Sequence, residues 1–245
     1  MTLFRNVFFV AALSGLFAGV LLAAIQTFTT VPLILQAETY ENAGADAGHD
    51  HAAPAEGEEA APHDHGDEAW APEDGFERFI WNVFANVVSA IGFGLVLVAA
   101  SEFFGGVNGW RQGLFWGFAG FAVFTLAPGL GLPPELPTMP AADLFARQFW
   151  WIGTVVATAA GLALVAFRRE PLPALLGVAL LLLPHVIGAP QPESHDSPIP
   201  ADLHHQFVVI VTLTNLVFWV ALGAAAGYLR SRFLAADGLG QPKLA

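Results

Sequence analysis

Residues 207–229 read FVVIVTLTNLVFWVALGAAAGYL, an apolar run without one charged side chain. It exceeds the roughly 18 residues at which an apolar stretch is read as a bilayer-spanning helix. The fold class follows from it: an all-α integral membrane protein. Five further stretches share its character, 7–31, 79–101, 113–129, 149–167 and 172–188, and each is bounded by Gly, Pro or clustered charge. Of the 245 residues, 55% are apolar and 12% charged. The expectation is a single transmembrane domain, residues 1–245, forming a bundle of about six helices in the lipid bilayer.

Two stretches admit a second reading. The run 172–188 is the shortest, with Pro171, Pro173 and Pro184 crowding it. If it were re-entrant, the freed backbone groups would need cover from protein or water, and the bundle would have five spans. The first run follows Arg5 as a signal peptide would, but it continues for about 25 residues where a signal core has about 7–15. It reads as an uncleaved first span, with cleavage near Ala37 as the minority alternative.

Basic residues set the topology. Counted by alternate loops, Arg5, Arg111, Arg168, Arg169, Arg230, Arg232 and Lys243 fall on one side, and Arg78 and Arg147 on the other. The positive-inside rule then predicts both termini in the cytoplasm. A five-span chain would carry Arg230 and Arg232 to the outside, against that rule.

The formal net charge is −12, and it is not spread evenly. Residues 38–78 hold thirteen acids and one arginine, while the remainder balances eight acids with eight bases. A His/Asp/Glu-rich external loop, 37–78, is therefore inserted between the first two spans, and its composition predicts disorder without metal. Within it lie two triplets, His49-Asp50-His51 and His63-Asp64-His65, among Asp46, Glu56, Glu58, Glu59, Asp67, Glu68, Glu73 and Asp74. Imidazole and carboxylate suit borderline first-row metals, and with no cysteine in the chain thiolate sites and disulfides are excluded. The alternative is a solvated acidic linker. Ordering such a loop on an ion costs entropy, so the expected affinity is modest.

The other four histidines fall on the same predicted side. Pro184-His185-Val-Ile-Gly-Ala-Pro190 is followed by His195, Asp196, Asp202, His204 and His205. This set is a candidate outer mouth that takes an ion from the acidic loop. The plainer readings are a helix-end histidine bonded to a carbonyl for His185, and an interfacial pair for His204 and His205.

Ionisable groups at membrane depth suggest function by default, which points to Glu102, Glu135, Asp143 and Arg147. Asn82, Asn86, Ser89, Thr212, Thr214 and Asn215 offer oxygens within the spans, although interhelical hydrogen bonding explains them as well. Gly15-xxx-Gly19, Gly113-xxx-Gly117 and Gly223-xxx-Gly227 permit close helix approach, within the bundle or in a homo-oligomer. Trp81, Trp110, Trp116, Trp150 and Trp151 sit near span ends and read as interfacial anchors. No GxxxxGK[ST], HExxH or GxSxG motif occurs, so neither ATP hydrolysis nor those hydrolytic chemistries are expected. No nucleic-acid partner is expected either.

Two segments carry a family resemblance. They are LPPELPTMPAADLFARQFWW at 132–151 and LPHVIGAPQP at 183–192, with RNVFF at 5–9 and FWVALGAAAGY at 218–228 fitting the same pattern. The chain resembles the CbtA family of predicted cobalt transporter subunits over nearly its whole length except 41–74. The resemblance implies a bacterial inner-membrane subunit for Co²⁺ uptake linked to cobalamin biosynthesis, beside a small one-span partner, CbtB, with histidines of its own. It also implies five spans, one fewer than the pattern of apolar runs.

The expected function is then divalent metal uptake, not enzymatic catalysis. Co²⁺ gathers on the acidic loop, is chelated by the triplets, and passes through His185, His195, His204 and His205. Nitrogen and oxygen donors hold Ni²⁺ and Zn²⁺ comparably along the Irving–Williams order. The alternative is a membrane-anchored metal sensor or accessory subunit without transport of its own.

Overall fold

The computed structural model describes residues 2–47, 72–73 and 75–236. Among them the chain is helical, with α1 over Thr2–Phe28, α2 over Thr30–Ala47, α3 over Phe76–Glu102 and α4 over Trp110–Phe121. A π-helical segment, Ala122–Leu126, carries α4 into the short turn α5, Ala127–Gly129. Then follow α6 over Leu144–Phe167, α7 over Pro171–Ile187 and α8 over Ala201–Ala236. The stretches 79–101, 149–167 and 207–229 lie within α3, α6 and α8 and 172–188 lies on α7, whereas 7–31 passes from α1 into α2 and 113–129 runs through α4, the π segment and α5.

Among the described residues four helices are long and apolar enough to cross a membrane: Phe4–Phe28, Phe76–Glu102, Leu144–Phe167 and Ala201–Phe233. The surface agrees, with Phe4, Phe115, Phe149, Val156, Leu175 and Val186 all more than 60% exposed. Side chains of that kind in contact with water would be unfavourable over so many positions, whereas against lipid tails they are at home. The protein is a membrane protein. At 17 residues α7 is shorter, about 25 Å against a hydrocarbon core of about 30 Å. It is nevertheless one continuous helix, begun by Pro171 at its first turn, where a missing N–H costs nothing. Gly188 ends it at φ 86, and Pro184 lies in the last turn.

The start of α6 is fixed locally: Asp143 accepts the Ala146 N–H at 2.9 Å, a side-chain N-cap. The π segment lies just before Pro128. A proline within a helix has no N–H for the carbonyl four residues back and crowds it, here Phe124, and a widened turn accommodates both.

Where a hydrophobic drive between helices is absent, close backbone packing holds a bundle together. Glycines do this at three interfaces. A Cβ on Gly15 would lie 2.6 Å from the Ile91 Cα, and one on Gly19 2.6 Å from the Val87 Cα, so α1 and α3 touch backbone to backbone. Gly113 and Gly117 meet Gly223 and Gly227 between α4 and α8, and Gly161 meets Gly177 between α6 and α7. The small-residue motifs thus act inside the bundle. The helices line up as α3, α1, α8 and α4, with α6 and α7 joined to this group through the π segment and α5. Trp219, 2% exposed, centres the core with Val10, Leu97, Val98, Phe121, Phe218 and Leu222.

One element runs further than its sequence pattern suggests. Residues 37–47 show no helical period, yet α2 extends to Ala47. Tertiary contact explains its first half: Leu33 and Ala37 are buried against Leu136, Ile199, Leu203 and Phe207. Beyond Ala37 the segment ETYENAGADA is rich in Ala and Glu, both good helix formers.

Candidate functional site: two ends of one bundle

The metal-ligand candidates divide into two groups. His49, Asp50, His51, His63, Asp64 and His65 lie outside the described residues. His185, His195, His204 and His205 fall at one end of the bundle, between the last turn of α7 and the first turn of α8. Among the described residues no three His, Asp or Glu side chains gather as a metal-holding group. His195 and His205 are exposed. His185 lies edge-on to Trp150, with ring centroids 6.1 Å apart.

His204 is held more tightly. Its Nε2 lies 3.2 Å from the Pro134 carbonyl. A carbonyl can only accept, so Nε2 carries the hydrogen, and the neutral ring then presents Nδ1 as a lone pair. Metal-bound histidines are commonly oriented in this way, one nitrogen donating to a carbonyl while the other ligates. The Pro-rich loop 130–143 therefore orients His204, and it was the loop's prolines, not its acids, that supplied the acceptor.

Among the described residues, the same end of the bundle carries two ion pairs. Arg147 pairs with Glu135 at 3.2 Å, and Arg78 with Glu38 at 2.9 Å across 40 positions of sequence. These are the two bases assigned to the sparse side by the loop count, and each is matched by a carboxylate. Asp143 serves the α6 N-cap instead.

Several of the polar groups within the helices bond to their neighbours, whereas the buried Thr158 Oγ1 of α6 has no partner among the described residues. Asn86 Nδ2 donates to Gln26 Oε1 at 2.7 Å, to Asn82 Oδ1 at 2.8 Å and to the Asn82 carbonyl at 2.9 Å. Thr212 donates to the Val208 carbonyl at 2.7 Å and Asn215 to the Val211 carbonyl at 2.9 Å. Trp150, expected as an interfacial anchor, donates its indole N–H to the Pro184 carbonyl at 3.3 Å and ties α6 to α7.

At the opposite end, Glu102 closes α3 and is bound by Arg230 of α8. Nε donates to Oε1 at 2.6 Å and Nη2 to Oε2 at 2.9 Å. Arg230 Nη1 also donates to the Val107 carbonyl and to Asn108 Oδ1, both at 3.0 Å. The sequence marked Glu102 but counted Arg230 only as a topology charge. A signal was present: Gly105-Gly106, with two residues between it and Glu102, announces a tight reversal able to bring later oxygens back to that carboxylate.

Residues 4–231 match the family model of CbtA, the probable cobalt transporter subunit. The chain belongs to that family. No curated protein and no solved structure matches it. The family is one of transporter subunits, not of enzymes. It implies cobalt as the transported ion and, since these are subunits, partner chains in the transport system.

Proposed function

We propose that this chain is the membrane subunit of a cobalt uptake system, taking Co²⁺ from the external face across the bacterial inner membrane. The carrying observation is the family match over 4–231 on a bundle of long apolar helices. In this reading α7 and the α4–α5 run also span, giving six spans with both termini cytoplasmic and the 37–78 loop outside. His49, Asp50, His51, His63, Asp64 and His65 collect the ion. His185, His195, His204 and His205 receive it at the mouth, and the preset tautomer of His204 supports that role.

Neutral imidazoles alternating with carboxylates bind Ni²⁺ and Zn²⁺ as well as Co²⁺, so selectivity rests on site geometry and metal supply. Membrane potential supplies the drive: about 2.3 kcal/mol per charge at 100 mV, hence about twice that for a divalent ion. A small one-span, His-bearing CbtB-like subunit completes the system, which feeds cobalamin biosynthesis. The lipid-facing surface leaves room for that partner or for a second copy of the chain.

A second reading, a membrane-anchored sensor or accessory subunit, is favoured by one observation: the described histidines do not converge on a three-ligand site. Radioactive ⁵⁷Co²⁺ uptake into cells lacking other cobalt importers separates the two. Uptake dependent on this chain and competed by Ni²⁺ supports transport. Absence of uptake despite membrane expression, with and without the small partner, contradicts it.

A further inference from the structure

We infer that the loop after α3 builds an oxygen cradle for a divalent cation at the inner end of the bundle, held shut in this structure by the Arg230 guanidinium. The inference rests on the uptake reading and gives it an exit site.

The cradle is made by seven residues. Past Glu102 the chain reverses through Gly105 at φ 89 and Gly106 at φ 73, backbone conformations that residues with a Cβ rarely adopt. Gly106 N donates to the Ser101 carbonyl at 2.8 Å, and the Asn108 N–H donates to Gln112 Oε1 at 2.8 Å. These bonds pin the loop to the end of α3 and the start of α4. Val107 is 1% exposed, so its side chain anchors the loop inward while its carbonyl faces Arg230. A Cβ on Gly106 would run into the guanidinium, so the loop fits the cation closely.

Four oxygens result around one positive group: both oxygens of Glu102, the Val107 carbonyl and Asn108 Oδ1, at 2.6 to 3.0 Å from guanidinium nitrogens. A bidentate carboxylate, a backbone carbonyl and an amide oxygen are the donor types that proteins present to divalent cations. The pair is largely withdrawn from solvent, with side chains 12% exposed for Arg230 and 22% for Glu102. Beside it lies a small cleft of about 30 Å³ lined by Asn6, Val7, Val10, Val98, Glu102 and Phe233 together with Arg230.

Position and chemistry agree. On the proposed topology the inner side carries seven Lys and Arg, and Glu102 is one of three acids there, with Glu170 and Asp237. A departing cation otherwise meets a basic rim. An all-oxygen site also holds Co²⁺ less tightly than the outer imidazoles do, which suits release. A divalent ion interacts with the carboxylate with twice the charge of the guanidinium, so it can displace Arg230 from the carboxylate and open the end of the bundle. Arg230 then returns to refill the cradle when the ion leaves.

The test is equilibrium dialysis of ⁵⁷Co²⁺ against the purified full chain in detergent, with His49, His51, His63 and His65 replaced by Ala so that the external loop does not mask the result. Arg230→Gln is expected to bind one further Co²⁺ per chain, at least tenfold more tightly than its parent. The gain is expected to vanish in Arg230→Gln/Glu102→Gln, and Arg230→Lys, which cannot grip both oxygens, should fall between. An Arg230→Gln chain that is helical and monodisperse but binds no more cobalt than its parent overturns the inference. If that variant does not fold, an Arg230→Lys chain with parental affinity overturns it equally. Because binding is read without flux, a gain in binding with no uptake would contradict the uptake reading alone, and uptake with no gain would contradict the cradle alone.

Discussion

Trp219 of α8 donates its indole N–H to Thr125 Oγ1 at 3.1 Å, and Thr125 lies in the π-helical segment that interrupts the α4–α5 run. The same indole stacks on Phe124 at 5.5 Å with an interplanar angle of 7°. The irregular turn is thus joined to α8 by both a polar and an aromatic contact, at the place where α6 and α7 attach to the rest of the bundle. With Trp219 2% exposed, its N–H has no water to fall back on.

Thr125→Val, which keeps the shape and removes the acceptor, is therefore expected to destabilise the protein by about 1–2 kcal/mol, the cost of leaving a buried donor unmade. Thermal unfolding in detergent should show the drop. Trp219→Phe in addition should not lower stability by the full sum of the two single changes, since the polar contact is lost only once.

Glycine substitutions should sort by interface. Gly223→Val drives a side chain into the Gly113 carbonyl and the Gly117 backbone and is expected to separate α4 from α8, with loss of folded protein on size-exclusion chromatography. Gly92→Ala meets nothing within 4 Å and should be neutral or stabilising by up to about 1 kcal/mol, the helix-propensity difference.

His204→Ala is expected to weaken cobalt uptake at low external Co²⁺, raising the half-saturating concentration severalfold with little change at saturation. A ligand at the mouth contributes to capture more than to passage. Uptake kinetics across a cobalt titration provide the measurement, and an unchanged curve would remove His204 from the path.

Acidification should reduce capture. Protonated imidazoles cease to be ligands, so Co²⁺ uptake at fixed membrane potential is expected to fall as external pH drops from 7 to 5. The loss should be larger in the intact chain than in the variant lacking the four histidines of the external loop. A rise in uptake on acidification would instead indicate proton-coupled import.

The fold was largely legible because apolar length is a local property. The runs at 79–101, 149–167 and 207–229 need no partner to be read as helices, and they lie in α3, α6 and α8. The glycine motifs were legible for a related reason, since small residues one turn apart have few uses other than close packing. What the sequence hid was long-range. The Ala and Glu of ETYENAGADA give only a local helix tendency, and nothing local names Leu136, Ile199 and Phe207, which hold the turns before it. Nothing near Arg230 names Glu102, 128 positions away, as its partner. His204 was marked for its chemistry, but its orientation depends on the Pro134 carbonyl, an acceptor that every residue possesses and none advertises. The triplets at 49–51 and 63–65 lie outside the described residues, so their role rests on their chemistry.

The most direct measurement is ⁵⁷Co²⁺ flux into proteoliposomes holding the purified chain, alone and with the small His-bearing subunit, under an inside-negative potassium diffusion potential. The account predicts cobalt accumulation that depends on the potential, is competed by Ni²⁺, and falls at low cobalt when His49, His51, His63 and His65 are Ala. Vesicles that contain correctly folded chain and partner yet accumulate no more cobalt than empty liposomes, at any potential, would contradict it.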